Sequence, residues 1–131
     1  MKNKSTIKKK SISKPCAVAF CMSMIGGTWK PIILFRIAMG IHRFEMLMKS
    51  IDGINRQMLS KRLKELEKAD IIERKVFLEI PPRVEYSFTI RGKSLLPVIQ
   101  SMNRWGKKHQ ELTSSSTAVK SSQLPLFDSR E

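Results

Sequence analysis

The sequence predicts a mainly α fold carrying one small β-hairpin. Two patterns and one kind of punctuation point to it. Leu59, Leu63 and Leu66 recur at i, i+4 and i+7, the spacing of one buried helical stripe. Val84, Tyr86 and Phe88 alternate with Glu85, Ser87 and Thr89, the period of a strand. Glycine and proline mark the breaks: Gly26-Gly27, Gly40, Asp52-Gly53 and Pro81-Pro82.

In chain order, the first element is an apolar helix over Cys16–Ile25, stopped by the glycine pair. A second runs from Trp29 or Lys30 to about Met39, with Pro31 in its first turn, where no backbone donor is lost. A short third helix covers about Arg43–Lys49, with Phe44, Leu47 and Met48 at helical spacing. The fourth begins after Asn55, a good N-cap residue. Gln57, Lys61, Lys64 and Lys68 lie opposite its leucines, flanked by Arg56 and Ser60. No acidic residue occurs from Asn55 to Lys64. A hairpin follows, with Ile72–Ile80 as the first strand and Pro81-Pro82 at the turn, where missing donors do least harm. Thr89 then caps a last helix reaching about Lys108, with Leu95, Leu96, Val98, Ile99, Met102 and Trp105 along it.

The chain has 131 residues, 41% of them hydrophobic, so one domain with a real core is expected over residues 15–111. Residues 1–14, with six lysines and no acid, read as a disordered basic arm. Residues 112–131, rich in Ser and Thr, read as a disordered tail. So small a domain buries a limited fraction of its surface. The apolar first and last helices therefore suggest a second copy as cover, a homodimer.

Twenty-five Lys and Arg against 11 Asp and Glu give a net charge of +14. The stretch 15–112 keeps +8 of it, from 17 basic and 9 acidic residues. Such a body attracts polyanions, nucleic acid first and an anionic membrane surface second. Lysines before the apolar run 17–25 superficially resemble a signal peptide, but no Ala-x-Ala site follows. No apolar stretch reaches the ~20 residues of a membrane span, so a cytoplasmic protein is expected, with no membrane partner.

Enzyme chemistry finds no support. The only histidines are His42 and His109, the latter isolated and the former read as a loop residue, and no Ser/His/Asp set is recognisable. Two cysteines without Cys-x-x-Cys spacing make neither a zinc site nor a disulfide framework. Gly92-Lys93-Ser94 mimics the end of a phosphate loop, but Ser87 stands where the first Gly is required. No cofactor, metal or catalytic residue is expected. Eight methionines suit an adaptable core and leave a small-ligand cavity near the dimer interface open.

A short helix, a tight turn and a longer basic helix compose a helix-turn-helix. The longer helix suits the major groove, where Lys and Arg address guanine and Gln addresses adenine. The candidate base-reading residues are Asn55, Arg56, Gln57, Ser60, Lys61 and Lys64. The hairpin would be a wing, and Lys30, Arg43, Arg74, Lys75 and Arg83 are the candidate backbone and wing contacts. The bland alternative for each is a solvated surface charge. A non-specific RNA- or DNA-binding protein is the competing reading, since charge alone suits it equally.

These residues also carry a family resemblance. The chain resembles the HxlR family of bacterial winged helix-turn-helix regulators. The similarity runs through Ile25-Gly26-Gly27-Thr28-Trp29-Lys30, Ile33-Leu34, Arg43-Phe44-Glu45-x-Leu47, Ile51-x-Gly53-Ile54 and Met58-Leu59-Ser60. It continues in Leu63-Lys64-Glu65-Leu66-Glu67, Pro81-Pro82-Arg83-Val84-Glu85-Tyr86, Thr89-x-x-Gly92 and Trp105-Gly106. The resemblance implies a sequence-specific duplex-DNA regulator of transcription, dimeric through its first and last helices. Ala17, Thr28 and Asn55 depart from the usual Pro, Lys and Ser. Cys16 matches a position where some members carry a cysteine that senses oxidants or electrophiles; the alternative is an ordinary small apolar side chain. A bridge from Cys16 to Cys21 within one helix is unfavourable, because the two point about 140° apart.

Overall fold

A computed structural model describes residues 16–115, with side chains described to Leu112. The expected basic arm lies outside the described residues, as does the tail from residue 116. The chain divides at Ser94/Leu95 into two compact units.

The first unit opens with α1, Ala17–Ile25, of which Ile25 alone is buried. Val18, Phe20 and Met22 stand exposed. The Gly26 N–H closes the helix on the Met22 carbonyl at 2.7 Å, and Gly27 then takes φ +97°, a left-handed conformation that suits glycine. Helix α2, Lys30–Ala38, has Pro31 in its first turn and buries Ile33, Leu34 and Ile37. The axes of α1 and α2 differ by 73°, and no single described helix is long and apolar enough to cross a membrane.

After Gly40 the chain runs beside the hairpin. Arg43 forms an isolated antiparallel bridge with Glu85, and Tyr86 donates its N–H to the His42 carbonyl at 2.9 Å. The His42 ring returns the contact, Nδ1 lying 2.9 Å from the Tyr86 carbonyl. Since a carbonyl only accepts, Nδ1 carries the hydrogen. His42 is thus more than the loop residue expected: it seats α3 against the sheet.

Helix α3, Phe44–Ser50, buries Leu47. Ile51 and Ile54 are buried on either side of an exposed turn at Asp52-Gly53, where the φ of Gly53 is +87°. Helix α4, Arg56–Lys68, follows its N-cap: the Asn55 side chain accepts from the Met58 N–H at 2.7 Å. Leu59, Leu63 and Leu66 are buried as a stripe. Strands β1, Ile72–Phe77, and β2, Arg83–Phe88, pair antiparallel from Ile72↔Phe88 to Phe77↔Arg83. The first strand is therefore shorter than expected. Leu78-Glu79-Ile80 belong to the hairpin tip together with Pro81 and Pro82.

Thr89 caps only a single turn, α5, Ile90–Lys93, accepting from the Gly92 N–H at 2.8 Å. Gly92 lies so close to Ile71 that a Cβ there would collide with the Ile71 carbonyl. The expected single last helix is two. Pro97 is the reason: inside a continuous helix its ring would strike the Lys93 carbonyl and no N–H would meet it.

The second unit is described through α6, Leu96–Ser115. Pro97 falls in its first turn, where proline is tolerated. The helix runs past Lys108 to Ser115, so residues 112–115, expected in the tail, are helical. Val98, Met102, Trp105 and Leu112 are exposed along it. Trp105 stacks on His109 with ring centres 4.1 Å apart.

Candidate nucleic-acid interface

Helix α4 presents its edge as the leucine stripe dictates. With Leu59, Leu63 and Leu66 turned inward, Gln57, Lys61, Lys64 and Lys68 are exposed and Ser60 is half-buried. Lys61, Lys64 and Lys68 have no ion-pair partner among the described residues, and Asn55 is spent on the cap. Turned toward solvent, Gln57, Ser60, Lys61 and Lys64 form a short row of donors. One side-chain carboxamide in it both donates and accepts.

Arg56, expected in that row, is held sideways. Its guanidinium grips Glu45 of α3 through two bonds, Nη1–Oε2 at 2.8 Å and Nη2–Oε1 at 2.9 Å, and lies 5.2 Å from the Phe44 ring centre. The hydrogen bonds from Arg56 hold the Glu45 carboxyl below the usual carboxylate range. The fork therefore fastens the two helices of the helix-turn-helix together across the turn.

Further along α4, Glu65 gathers two cations. Arg62 Nη1 lies 2.9 Å from its Oε1, and Lys30 Nζ lies 3.5 Å away. Arg62 first, and Lys30 after it, hold Glu65 low. Lys30, a candidate phosphate contact, keeps only 14% of its side chain exposed. The structure thus gives this candidate phosphate contact a carboxylate partner at the N-terminus of α2.

The wing divides its cations in the same way. Arg74 and Lys75 are exposed on β1 and have no ion-pair partner among the described residues. Arg83 is enclosed. Its guanidinium carbon sits 3.9 Å from the Phe77 ring centre, Nη2 lies 2.6 Å from Glu79 Oε2, and Nη1 pairs with Glu85. Only 21% of its side chain is exposed. Arg43 is 58% exposed, with Nε 3.8 Å from the same Glu85. Glu85 therefore joins the wing to the start of α3. A shallow groove lies there, lined by Arg43, Phe44, Met46, Pro81 and Val84 among others.

Sequence reasoning placed the exposed row of α4 but missed the acids that occupy its neighbours. Glu65 stands three residues from Arg62 on one helix, a spacing the sequence shows, but only folding brings Glu45, Glu79 and Glu85 to Arg56, Arg83 and Arg43. Glu79 and Arg83 stand four apart, a spacing that signals a pair only when the segment is helical; here it spans the hairpin turn.

Cys16 is exposed at the N-cap of α1. The backbone N–H groups of Ala19, then Val18, face its thiol and lower its pKa. Cys21 is half-buried on the same helix. Among the described residues, no group of three His, Cys, Asp or Glu side chains could hold a metal ion.

Comparison with known proteins agrees with this geometry. Residues 24–114 match the profile of the HxlR-like helix-turn-helix. The chain is 41% identical over 95 residues to MalR of Fusobacterium mortiferum, covering 72% of this chain and 90% of that one. It is 41% identical over 96 residues to YdeP of Bacillus subtilis, named an HTH-type transcriptional regulator, covering 73% of this chain and 75% of that one. Among solved structures, the redox regulator HypR in its oxidised form superposes with a TM-score of 0.68 at 38% identity, over 71% of this chain and 96% of that one. With the order of helices, the two-stranded wing and these similarities together, the chain belongs to the HxlR-like helix-turn-helix family.

Proposed function

We propose that the chain is a sequence-specific duplex-DNA-binding regulator of transcription that works as a homodimer. The observation that carries the reading is the contrast among its cations. Those on the outer edge of α4 stand unpaired around Gln57, while Arg56, Arg62, Arg83 and Lys30 are matched by carboxylates. A free row with both Lys and Gln is what a major-groove helix needs to discriminate bases. Gln57, Ser60, Lys61 and Lys64 are its base-reading residues, and Arg74 and Lys75 meet phosphates. Asn55 and Arg56 set the helix in position.

Pairing through α1 and α6 rests on their exposed apolar side chains. On α6, Val98, Met102, Trp105 and Leu112 fall at i, i+4, i+7 and i+14, the seam of a helix that packs on another. Two-fold pairing calls for an operator with matching pseudo-symmetry. The work is cytoplasmic in this reading and involves no catalysis.

Cys16 supplies a thiol response. It is exposed, and the amides at the start of α1 favour its thiolate. Similarity to a protein named a redox regulator supports the same role. An oxidant or electrophile is the corresponding effector.

The test is site selection from random duplex DNA with the full chain, with and without oxidant. A pseudo-palindromic motif is expected. Lys61→Ala and Gln57→Ala should each change the selected sequence, and Cys16→Ser should abolish any oxidant effect. Equal weakening on selected and random DNA would favour the non-specific binder instead.

A further inference from the structure

The hairpin tip is unusual for a surface meant to meet a polyanion. Leu78 and Ile80 are 94% and 101% exposed, more than any other large apolar side chains described, and Pro81 and Pro82 beside them are exposed as well. Scattered exposed aliphatics need no explanation, but these four fall within five consecutive residues. The fifth is Glu79, whose carboxylate is held by Arg83. The tip is therefore apolar and locally neutral. It is also braced: Arg83 lies on the Phe77 ring and is gripped from two sides by Glu79 and Glu85, and two prolines limit the turn. The unpaired cations of the wing, Arg74 and Lys75, stand behind the tip on β1.

We infer that the wing meets DNA through an apolar wedge, Leu78 and Ile80 entering the minor groove, with Arg83 as the brace beneath them and not the contact. The inference rests on the DNA-binding reading and names what the wing does within it. Side chains such as Leu, Ile and Pro enter the minor groove by separating base steps and bending the duplex. That action needs an uncharged point on a stiff support with positive charge close by to hold the flanking phosphates. The tip, the Arg83 clasp and the Arg74-Lys75 pair meet those three requirements in turn. Pairing also matters for Glu79, since a bare carboxylate at this place would repel the backbone. A second protein or another copy of the chain is a less apt occupant, because the cations behind the tip complement an anionic partner.

The experiment compares the full chain with Leu78→Ser/Ile80→Ser, Arg74→Ala/Lys75→Ala and Lys61→Ala on the selected operator, over a range of salt. Leu78 and Ile80 touch no core, so the first variant should keep the native circular dichroism and melting. It should bind on the order of tenfold more weakly, bend the operator less by end-to-end fluorescence transfer, and keep the native salt slope, because no counterion is involved. Arg74→Ala/Lys75→Ala should flatten the slope instead. Native affinity and native bend in Leu78→Ser/Ile80→Ser would overturn the wedge, as would a change confined to self-association. The Lys61→Ala arm separates the two readings: if it loses operator preference while the tip variant keeps native affinity and bend, DNA reading by α4 stands and the wedge alone fails.

Discussion

At the scale of single residues, Asn55 shows how little context a cap requires. Its acceptor meets the Met58 N–H three residues on, and both partners are set by the helix that follows. Asn55→Ala should lower the free energy of unfolding by about 1 kcal/mol, measured by urea denaturation, with Asn55→Ser close to native. This position was readable in the sequence because capping is local chemistry. Arg83 was not. A basic residue beside a turn reads as available for DNA, but its carboxylate partners come from both sides of the hairpin. Likewise nothing local marks Gly92 as the point where α5 rests against the Ile71 carbonyl.

At the scale of elements, hydrophobic periodicity located α4 well, because its leucine stripe faces the core. It located β2 although Tyr86 alone of that strand is buried and its other residues are half-buried. The last helix was harder. Its apolar residues continue through Ser94-Leu95, and only the geometry of Pro97 separates α5 from α6. The wing also carries a pH signature. The Arg83 side chain holds the Glu79 carboxyl below the ordinary carboxylate range. A lowered folded pKa stabilises the clasp above the unfolded carboxylate value of about 4.3. That contribution is lost as the pH falls through the lower folded value. The protection of amides in the hairpin tip, taken relative to the intrinsic exchange rate at each pH, should therefore fall on acidification from pH 6 toward 3. Glu79→Gln should show faster exchange already at pH 6 and a weaker dependence below it. A native pH profile in Glu79→Gln would mean that the clasp does not order the tip.

At the scale of the whole molecule, charge and surface decide behaviour more than the fold does. The formal +14 overstates what DNA would meet, because Arg56, Arg62, Arg83 and Lys30 have acidic neighbours. The sequence shows the count but, apart from Arg62 and Glu65 within α4, not this pairing, which arises when α2, α3, α4 and the wing fold. Self-association belongs to the same scale. Met102→Glu puts a charge in the proposed α6 seam and should shift the chain toward monomer in sedimentation velocity. Operator affinity should fall with it, while the melting of each protomer changes little. A Met102→Glu protein that sediments as native would remove α6 from the interface.

The stacked Trp105 and His109 rings offer a built-in optical reporter for that question. The chain has two tryptophans, so Trp29→Phe would leave Trp105 as the sole indole emitter. It is 67% exposed in the single chain, where water shifts emission to the red. Dilution across the association range would then be visible as a change of colour, without any attached dye.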